Sequence, residues 1–121
     1  MAQAYQIVYA RNFQITLGFI HRKHHVIIRD SILEQLVHEP LSPTRNRKKL
    51  DPAMLGATWE LRCGPRNRFR ILYEVVRLET EDDANQNQQG YEVHVLLIGE
   101  KIGEQLMIAG KALDDETDTL I

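Results

Sequence analysis

Cysteine is nearly absent from this chain of 121 residues, which has one, Cys63. A single cysteine excludes an internal disulfide framework and any zinc site built from several thiolates. Cys63 stands at the end of an apolar strand pattern, which is typical of a buried structural thiol rather than of a nucleophile. We therefore expect no redox chemistry.

Long apolar runs are absent as well. No stretch approaches the roughly 20 residues that cross a bilayer, and the N-terminus "MAQAYQIVYARNF" lacks the basic-then-apolar layout of a secretory signal. We expect a cytoplasmic protein without a membrane partner.

The common catalytic and nucleotide-binding motifs are also missing. No P-loop, G-x-G-x-x-G or G-x-S-x-G is present, which argues against nucleotide-dependent enzymes and the common serine hydrolases. His21, His24 and His25 lie close together but lack the spacing of a zinc motif such as H-E-x-x-H. We predict neither a cofactor nor a metal site.

Charge is present in quantity but unevenly distributed. The net charge is −2, from 15 basic and 17 acidic residues, and eight of the acids fall in the segments 79–83 and 114–118. Against the nine other acids, the 15 bases leave the rest of the chain at +6. Such a basic body is compatible with nucleic-acid binding, and also with an ordinary solvated surface of mixed charge.

Apolar spacing predicts the secondary structure of the first half. A β-branched run over 5–10 indicates a strand, and helical periodicity indicates helices over 11–22 and within 24–40, where Pro40 ends the second. The segment 41–57 contains two prolines and little periodicity, so we predict a long surface connection.

Alternation predicts three strands in the second half, over 58–63, 68–78 and 91–98. The polar segment 79–90 between the last two is expected to be a mobile hairpin insertion. The segment 104–113 fits either a helix or a strand. The predicted fold is α+β, with a small antiparallel sheet backed by an N-terminal two-helix hairpin, in one domain (1–113) followed by an acidic tail (114–121).

Alternation along the strands also predicts which side chains share a face. One face carries apolar residues and should cover the helices: Trp59, Leu61, Cys63, Phe69, Ile71, Tyr73, Val75, Tyr91, Val93, Val95 and Leu97. The other gathers polar residues on a partly apolar floor: Glu60, Arg62, Arg70, Glu74 and His94.

The polar face has three interpretations. It is a set of ion pairs that keep the sheet soluble, a phosphate-binding surface, or a site that cleaves RNA through attack of the 2′-hydroxyl. Cleavage needs a base, cations on the scissile phosphate and an acid for the leaving oxygen. Glu60 or His94 would transfer protons, and Arg70 with Arg62 would stabilise charge.

Three segments in order resemble the RelE/ParE superfamily of toxins from type II toxin–antitoxin systems. They are "LVHEPLSPTRNRKKLDP", "TWELRCGPRNRFRILYEVV" and "VHVLLIGEK". Their order is similar to the family's helix, basic loop, W-x-L-R strand, F/Y-R-x-x-Y strand and closing strand with an apolar-Gly-x-Lys/Arg turn. The likeness covers about Tyr5 to Lys111.

In its RelE branch, the resemblance implies an endoribonuclease that cuts mRNA in the ribosomal A site and is held inactive by a cognate antitoxin protein. The family's central arginine matches Arg70, its strand arginine Arg62, and the arginine after its last strand Lys101. The family's basic loop residues correspond to Lys48 and Lys49. We also expect Arg45 and Arg47 of the same loop to bind RNA phosphates, together with Arg66 and Arg68 of the turn in "GPRNRF", which is longer than the family's turn.

Two positions depart from the family pattern. Glu60 occupies the place of a strand lysine, and Met107 falls near a C-terminal tyrosine. These departures favour a catalytically silent antitoxin-binding relative as an alternative. A ParE-like toxin that inhibits DNA gyrase shares the same fold and is a second alternative. The acidic segments 79–90 and 114–121 suggest a third, a relative in which they mask the basic face.

Overall fold

The computed structural model describes residues 4–78, 90–114 and 119–120. Over these residues the chain forms an α+β fold with helices α1 (Arg11–Leu17) and α2 (His25–Leu36), and short 3-10 turns at Arg22–His24 and Pro65–Asn67. The strands of the described residues are β1 (Gln6–Tyr9), β2 (Arg47–Met54), β3 (Ala57–Cys63), β4 (Phe69–Arg77), β5 (Tyr91–Ile102), β6 (Gln105–Ile108), β7 (Lys111–Asp114) and β8 (Thr119–Leu120).

The sheet is antiparallel along the order β2-β3-β4-β5-β6-β7-β8, and β1 adds to it by pairing parallel to β5. Strand β5 pairs with three other strands of the sheet. Residues 91–100 of β5 pair with β4, while its other edge pairs with β1 over 92–95 and with β6 over 100–102. Neither helix of the described residues is long and apolar enough to cross a membrane.

Helix α1 fills the gap that β1 and β6 leave along the edge of β5. The Ile98 amide of β5 donates to Thr16 Oγ1 at 3.2 Å, and the Thr16 hydroxyl lies 2.7 Å from the Asn12 carbonyl. Because Thr16 is buried, its hydroxyl satisfies a strand amide that water cannot reach.

Thr16→Val should therefore destabilise the protein by about 1–3 kcal/mol, because the isosteric side chain leaves the Ile98 amide buried without an acceptor. Urea unfolding measures the change. Thr58→Val, on the exposed part of β3, is the matched control and should change stability little. Equal effects of the two substitutions would contradict this role for Thr16.

The main core lies between the helices and one face of the sheet. The predicted apolar face is confirmed for Trp59, Leu61, Cys63, Phe69, Ile71, Tyr73, Val93 and Val95, which pack with Phe13, Ile20, Ile28, Ile32 and Leu36. Each such buried side chain contributes about 1.5–3 kcal/mol relative to exposure. The register that aligns these residues also directs the intervening polar residues to the opposite face.

A bulge changes the predicted alternation in β5. Leu72 lies opposite Leu97 and Tyr73 opposite Val95, so β5 carries one extra residue between them. Ile98 therefore belongs to the main core, and the prediction of Leu97 on that face was wrong. A period of two cannot reveal an inserted residue in an otherwise apolar run.

The predicted surface connection over 41–57 was also wrong, because Arg47–Met54 form strand β2. Among the strands of the described residues, β2 pairs with β3 alone and is therefore an edge strand. An edge strand tolerates the exposed lysines and Pro52 on which the loop prediction rested. The predicted first helix is shorter than expected, since α1 ends at Leu17.

The sheet curls, and its second face is only partly open. The segment 104–113, which fitted helix or strand, forms β6 and β7 around a tight turn with positive φ at Ala109 and Gly110. Ile108 of β6 is thereby buried with Ala57 and Leu72 in a second apolar cluster. The predicted hairpin insertion and acidic tail fall largely on residues 79–89, 115–118 and 121, outside the described ones.

Candidate functional site

A polar cavity of about 260 Å³ lies on the second face of the sheet, beside the second apolar cluster. Strand β3 contributes Glu60 to it, β4 Arg70 and β5 Lys101. Three of the five predicted catalytic residues therefore line one cavity. Their strands are neighbours in the sheet, which explains why residues up to 41 positions apart in sequence meet.

Glu60 is held by two arginines at the floor of this cavity. Its Oε1 accepts from Arg62 Nε at 2.7 Å and lies 3.6 Å from Arg70 Nη1. Only 8% of the Glu60 side chain and 15% of the Arg70 side chain are exposed. A carboxylate buried to this extent needs charged partners, and the two arginines supply them.

The Arg70 guanidinium is oriented from two sides. Its Nε donates to the Asn67 carbonyl at 3.1 Å, while Nη1 faces Glu60. Burial, followed by the positive charge of Arg62, lowers the pKa of Arg70 from its ordinary value, and Glu60 raises it. A guanidinium stays charged at neutral pH under such shifts, so Arg70 presents a fixed cation to the cavity.

Gly99 allows β6 to approach Arg70 closely. It lies opposite Arg70 in the β4–β5 ladder, and a Cβ there would stand 2.9 Å from Leu106 Cδ1 and 3.0 Å from the Met107 carbonyl. A side chain at this position would force the Leu106 side chain and the neighbouring part of β6 to shift. The cavity wall that includes Lys101 and Leu106 therefore depends on this glycine.

His94 is not brought to the cavity. Its Nε2 lies 3.0 Å from Glu92 Oε1 and its Nδ1 3.7 Å from Glu74 Oε1, in a separate cluster further along β4 and β5. His94 is absent from the residues that line the cavity. Strand parity predicted the face of His94 correctly, but His94 lies further along the strands than the residues that line the cavity.

The predicted phosphate-binding residues of the loop separate into three groups. Lys48 is exposed opposite Glu60, and Arg45 and Lys49 are exposed elsewhere around β2. Arg47 is 4% exposed and donates to the carbonyls of Gln35 (2.5 Å) and Ser42 (3.0 Å). These contacts attach β2 to the end of α2. The buried Arg47 is therefore not counted among the exposed cations that could bind phosphate.

The two predicted turn arginines are both exposed. Arg66 belongs to the 3-10 turn between β3 and β4, and Arg68 follows it and pairs with Glu100 of β5. They lie at the end of the sheet where β4 begins. The Arg68 carbonyl accepts from the Lys101 amide at 2.8 Å, so this turn adjoins the cavity.

The cysteine and the clustered histidines have structural contacts. Burial raises the pKa of Cys63 to about 11, which keeps the thiol protonated at neutral pH. His21 Nδ1 accepts from the Lys23 amide, and His25 Nε2 lies 2.8 Å from the Ile20 carbonyl. Within the ranges that the structure describes, no group of three or more His, Cys, Asp or Glu side chains could hold a metal ion.

Sequence reasoning missed the two other polar residues of the cavity, Glu104 and Gln105, and its three apolar ones, Met54, Leu106 and Leu113. Glu104 and Gln105 belong to the turn and first residue of β6, where Gly103 has a φ of 61°. The signal was present, because a glycine between two apolar stretches is typical of a hairpin turn. The contact between Arg70 and the Asn67 carbonyl has no signal in the sequence, because a backbone carbonyl is present at every residue and its direction depends on the backbone geometry.

The arrangement can bind an anion and stabilise developing negative charge. Arg70 and Lys101 place a planar guanidinium and an ammonium on one cavity, beside a carboxylate that is able to accept a proton.

Comparison with family models, curated proteins and solved structures gives no match to this chain.

Proposed function

We propose that this protein is the toxin of a toxin–antitoxin system, a RelE-like endoribonuclease that cleaves mRNA on the ribosome. The observation that carries the proposal is the meeting of Glu60, Arg70 and Lys101 in one cavity, with Arg62 bound to Glu60 beside it. Arg70 and Lys101 match cationic positions of the resemblance, and Glu60, which departs from it, supplies the proton acceptor that RNA cleavage needs. The α+β fold with a curled sheet supports the same assignment.

In the proposed reaction, the 2′-hydroxyl oxygen of the mRNA attacks the adjacent phosphorus. The new 2′-O–P bond forms as the P–O5′ bond breaks, giving a 2′,3′-cyclic phosphate and a free 5′-hydroxyl. Glu60 accepts the proton of the 2′-hydroxyl, and the Lys101 ammonium donates one to the leaving 5′ oxygen. Arg70 stabilises the charge that develops on the phosphoryl oxygens.

The proposed resting partner is a cognate antitoxin protein. Every lysine and arginine of the chain lies in the described residues, together with ten of the 17 acids, so this part carries a net charge of +5. An acidic partner would neutralise it. A short acidic protein encoded beside this one is the expected genetic signature.

A second candidate function is a silent relative, a ParE-like gyrase inhibitor or an antitoxin-binding module without nuclease activity. The specific observation in its favour is that the Oε1 of Glu60 is already shared by Arg62 and Arg70. An oxygen that already faces two guanidinium groups has less room to accept a hydrogen bond from a 2′-hydroxyl. Met107, which falls near the family's tyrosine position, lies outside the cavity lining.

The deciding experiment induces the protein in a growing bacterial culture beside its Arg70→Ala variant, and maps mRNA 5′ ends. We expect growth arrest with new ends inside translated codons for the wild-type protein, and neither for the variant. Arrest without new ends would favour the gyrase-type function. Unimpaired growth with intact mRNA would favour the silent binding module.

A further inference from the structure

A second cavity, of about 380 Å³, lies on the helix side of the sheet, between α1 and α2. Both helices contribute to its lining, because α1 packs mainly on β5 and α2 on β3, which leaves space between the two helices. Over the described residues it shares no lining residue with the cavity of Glu60, Arg70 and Lys101. We call it the helix-side cavity, and the proposed reaction makes no use of it.

The deep part of the helix-side cavity is apolar. Phe13, Ile28 and Ile32 are each at most 4% exposed, and they form its floor. Leu17 is half-buried, and Val26, which is 58% exposed, reaches the surface. A concave apolar lining with a few polar groups is typical of small-molecule sites, which measure roughly 300–1,000 Å³. The helix-side cavity falls at the small end of that range.

The rim of this cavity carries hydrogen-bond donors and a permanent positive charge. Tyr9, Gln14 and Arg29 line the cavity and are exposed. Burial raises the pKa of Tyr9 above its ordinary value, and the charge of Arg29 acts in the opposite direction, so the hydroxyl and the guanidinium lie within electrostatic range of each other. Among the described residues that line the cavity, none is acidic. The site is therefore complementary to an anion.

The Arg29 guanidinium is available to a ligand. Its Nη2 lies 3.5 Å from Asp30 Oδ1, and the two side chains are 63% and 52% exposed. An exposed ion pair at this distance is weak and is screened by salt. A guanidinium also presents a planar fork of donors that matches the two oxygens of a carboxylate. A carboxylate that binds Arg29 therefore displaces only a weak partner.

The volume of the cavity favours a small ligand over a segment of polypeptide. An α-helix with its side chains is about 10–12 Å across, so about one turn of it at most would fill the 380 Å³ of the cavity. An unbranched alkyl chain is much narrower. A chain of medium length is therefore covered by the apolar floor and walls, and its burial is favourable.

We propose that the helix-side cavity binds a small amphipathic carboxylate of the class of medium-chain fatty acids. The alkyl chain lies on Phe13, Ile28 and Ile32, and the carboxylate accepts hydrogen bonds from Arg29 and from the Tyr9 hydroxyl. This inference is independent of the proposed function, because the two cavities lie on opposite faces of the sheet and are built from different residues.

The first measurement is a calorimetric titration of the protein with decanoate at neutral pH, below the concentration at which decanoate forms micelles. Octanoate and hexanoate are titrated in the same way. Each CH₂ group that enters the cavity should strengthen binding about fourfold, so the affinity should rise steadily from hexanoate to decanoate. An affinity that does not depend on chain length would refute insertion of the chain.

Two neighbouring residues of α2 provide a matched pair of variants. Val26 and Ile27 belong to the first turn of the helix and are 58% and 43% exposed, but only Val26 lines the cavity. An acid in the first turn suits the helix dipole, so Val26→Asp and Ile27→Asp should both fold, which circular dichroism and thermal melting verify. Val26→Asp should weaken decanoate binding at least about tenfold, because it places a like charge beside the ligand. Ile27→Asp should bind as the wild type does.

The contact with the carboxylate is tested at Arg29. Arg29→Gln should weaken decanoate binding about tenfold, since it removes a charged hydrogen bond. Arg45→Gln, at an exposed arginine outside the cavity, is the control and should bind with wild-type affinity. Decanol, which has the same chain without the charge, should bind more weakly than decanoate, and Arg29→Gln should not change its affinity.

Methyl NMR locates the ligand. Decanoate should shift the methyl signals of Ile28 and Ile32, which form the floor, and leave those of Ile108 unchanged, since Ile108 belongs to the second apolar cluster. Shifts at Ile108 without shifts at Ile28 and Ile32 would place the ligand elsewhere.

Four further outcomes overturn the proposal. Equal losses in Val26→Asp and Ile27→Asp would exclude the cavity as the binding site. Decanol or decyltrimethylammonium bound as tightly as decanoate would remove the assignment to an anion. A dimer in sedimentation velocity that Val26→Asp dissociates would assign the cavity to a second copy of the chain. Binding to anionic phospholipid vesicles without affinity for free decanoate would assign it to a membrane surface.

Discussion

Arg70→Ala should lower the rate of mRNA cleavage on purified ribosomes by about 10²–10³-fold, the usual cost of removing one well-placed donor to a developing charge. The substitution removes the guanidinium that Asn67 and Glu60 aim into the cavity. Single-turnover cleavage of a defined mRNA measures the rate. Because the missing interaction forms in the transition state, the loss should appear in the rate of the chemical step more than in mRNA affinity.

The fold should tolerate this change, since Glu60 keeps its contact with Arg62 at 2.7 Å when Arg70 is removed. Arg77→Ala, an exposed arginine on the same strand, is the matched control and should cleave at the wild-type rate. Arg70→Lys retains the charge but loses the planar fork and the bond to the Asn67 carbonyl, so its rate should lie between those of alanine and wild type.

A fully active Arg70→Ala variant would mean that the cavity is not the site of cleavage. Loss of activity accompanied by a lowered melting temperature would instead assign Arg70 a structural role through its pair with Glu60. The combination of a normal melting temperature, normal mRNA binding and a slow chemical step is specific to charge stabilisation.

Much of the fold was predictable because it follows from local patterns of apolar residues in the sequence. The apolar alternation of β3 and β4 identified the buried face, and helical periodicity identified α2. Strand β2 was missed because an edge strand with lysines and Pro52 satisfies few of the rules for a strand. The bulge in β5 and the fold-over of β6 at Gly99 depend on tertiary contacts, which leave no periodic trace.

The candidate site was predictable in part, because alternation along the strands indicates which side chains share a face. Strand parity and the resemblance together selected Glu60, Arg70 and Lys101, which share a cavity. Parity assigns a face but not a height along the strand, so it also selected His94, which pairs with Glu74 and Glu92 elsewhere. The basic loop illustrates another limit, because charge alone does not separate the exposed Lys48 from the buried Arg47.

Glu60→Ala should destabilise the protein by about 3 kcal/mol, because it leaves Arg62 and Arg70 as two adjacent cations without their carboxylate. This is a large part of the roughly 5–15 kcal/mol that stabilise a domain of this size. Urea unfolding at neutral pH measures the change. Glu104→Ala, an exposed acid at the same cavity, is the control and should stay within about 0.5 kcal/mol of wild type.

A double-mutant cycle identifies the cause of that loss. If repulsion and desolvation of the two arginines are responsible, Arg62→Ala added to Glu60→Ala should cost less than the two separate effects combined, because one unpaired cation disappears. Strict additivity would show that Glu60 stabilises the fold by packing alone. Glu60→Gln, whose amide oxygen still accepts from Arg62, should be more stable than Glu60→Ala, yet it should lose cleavage if the carboxylate is the proton acceptor.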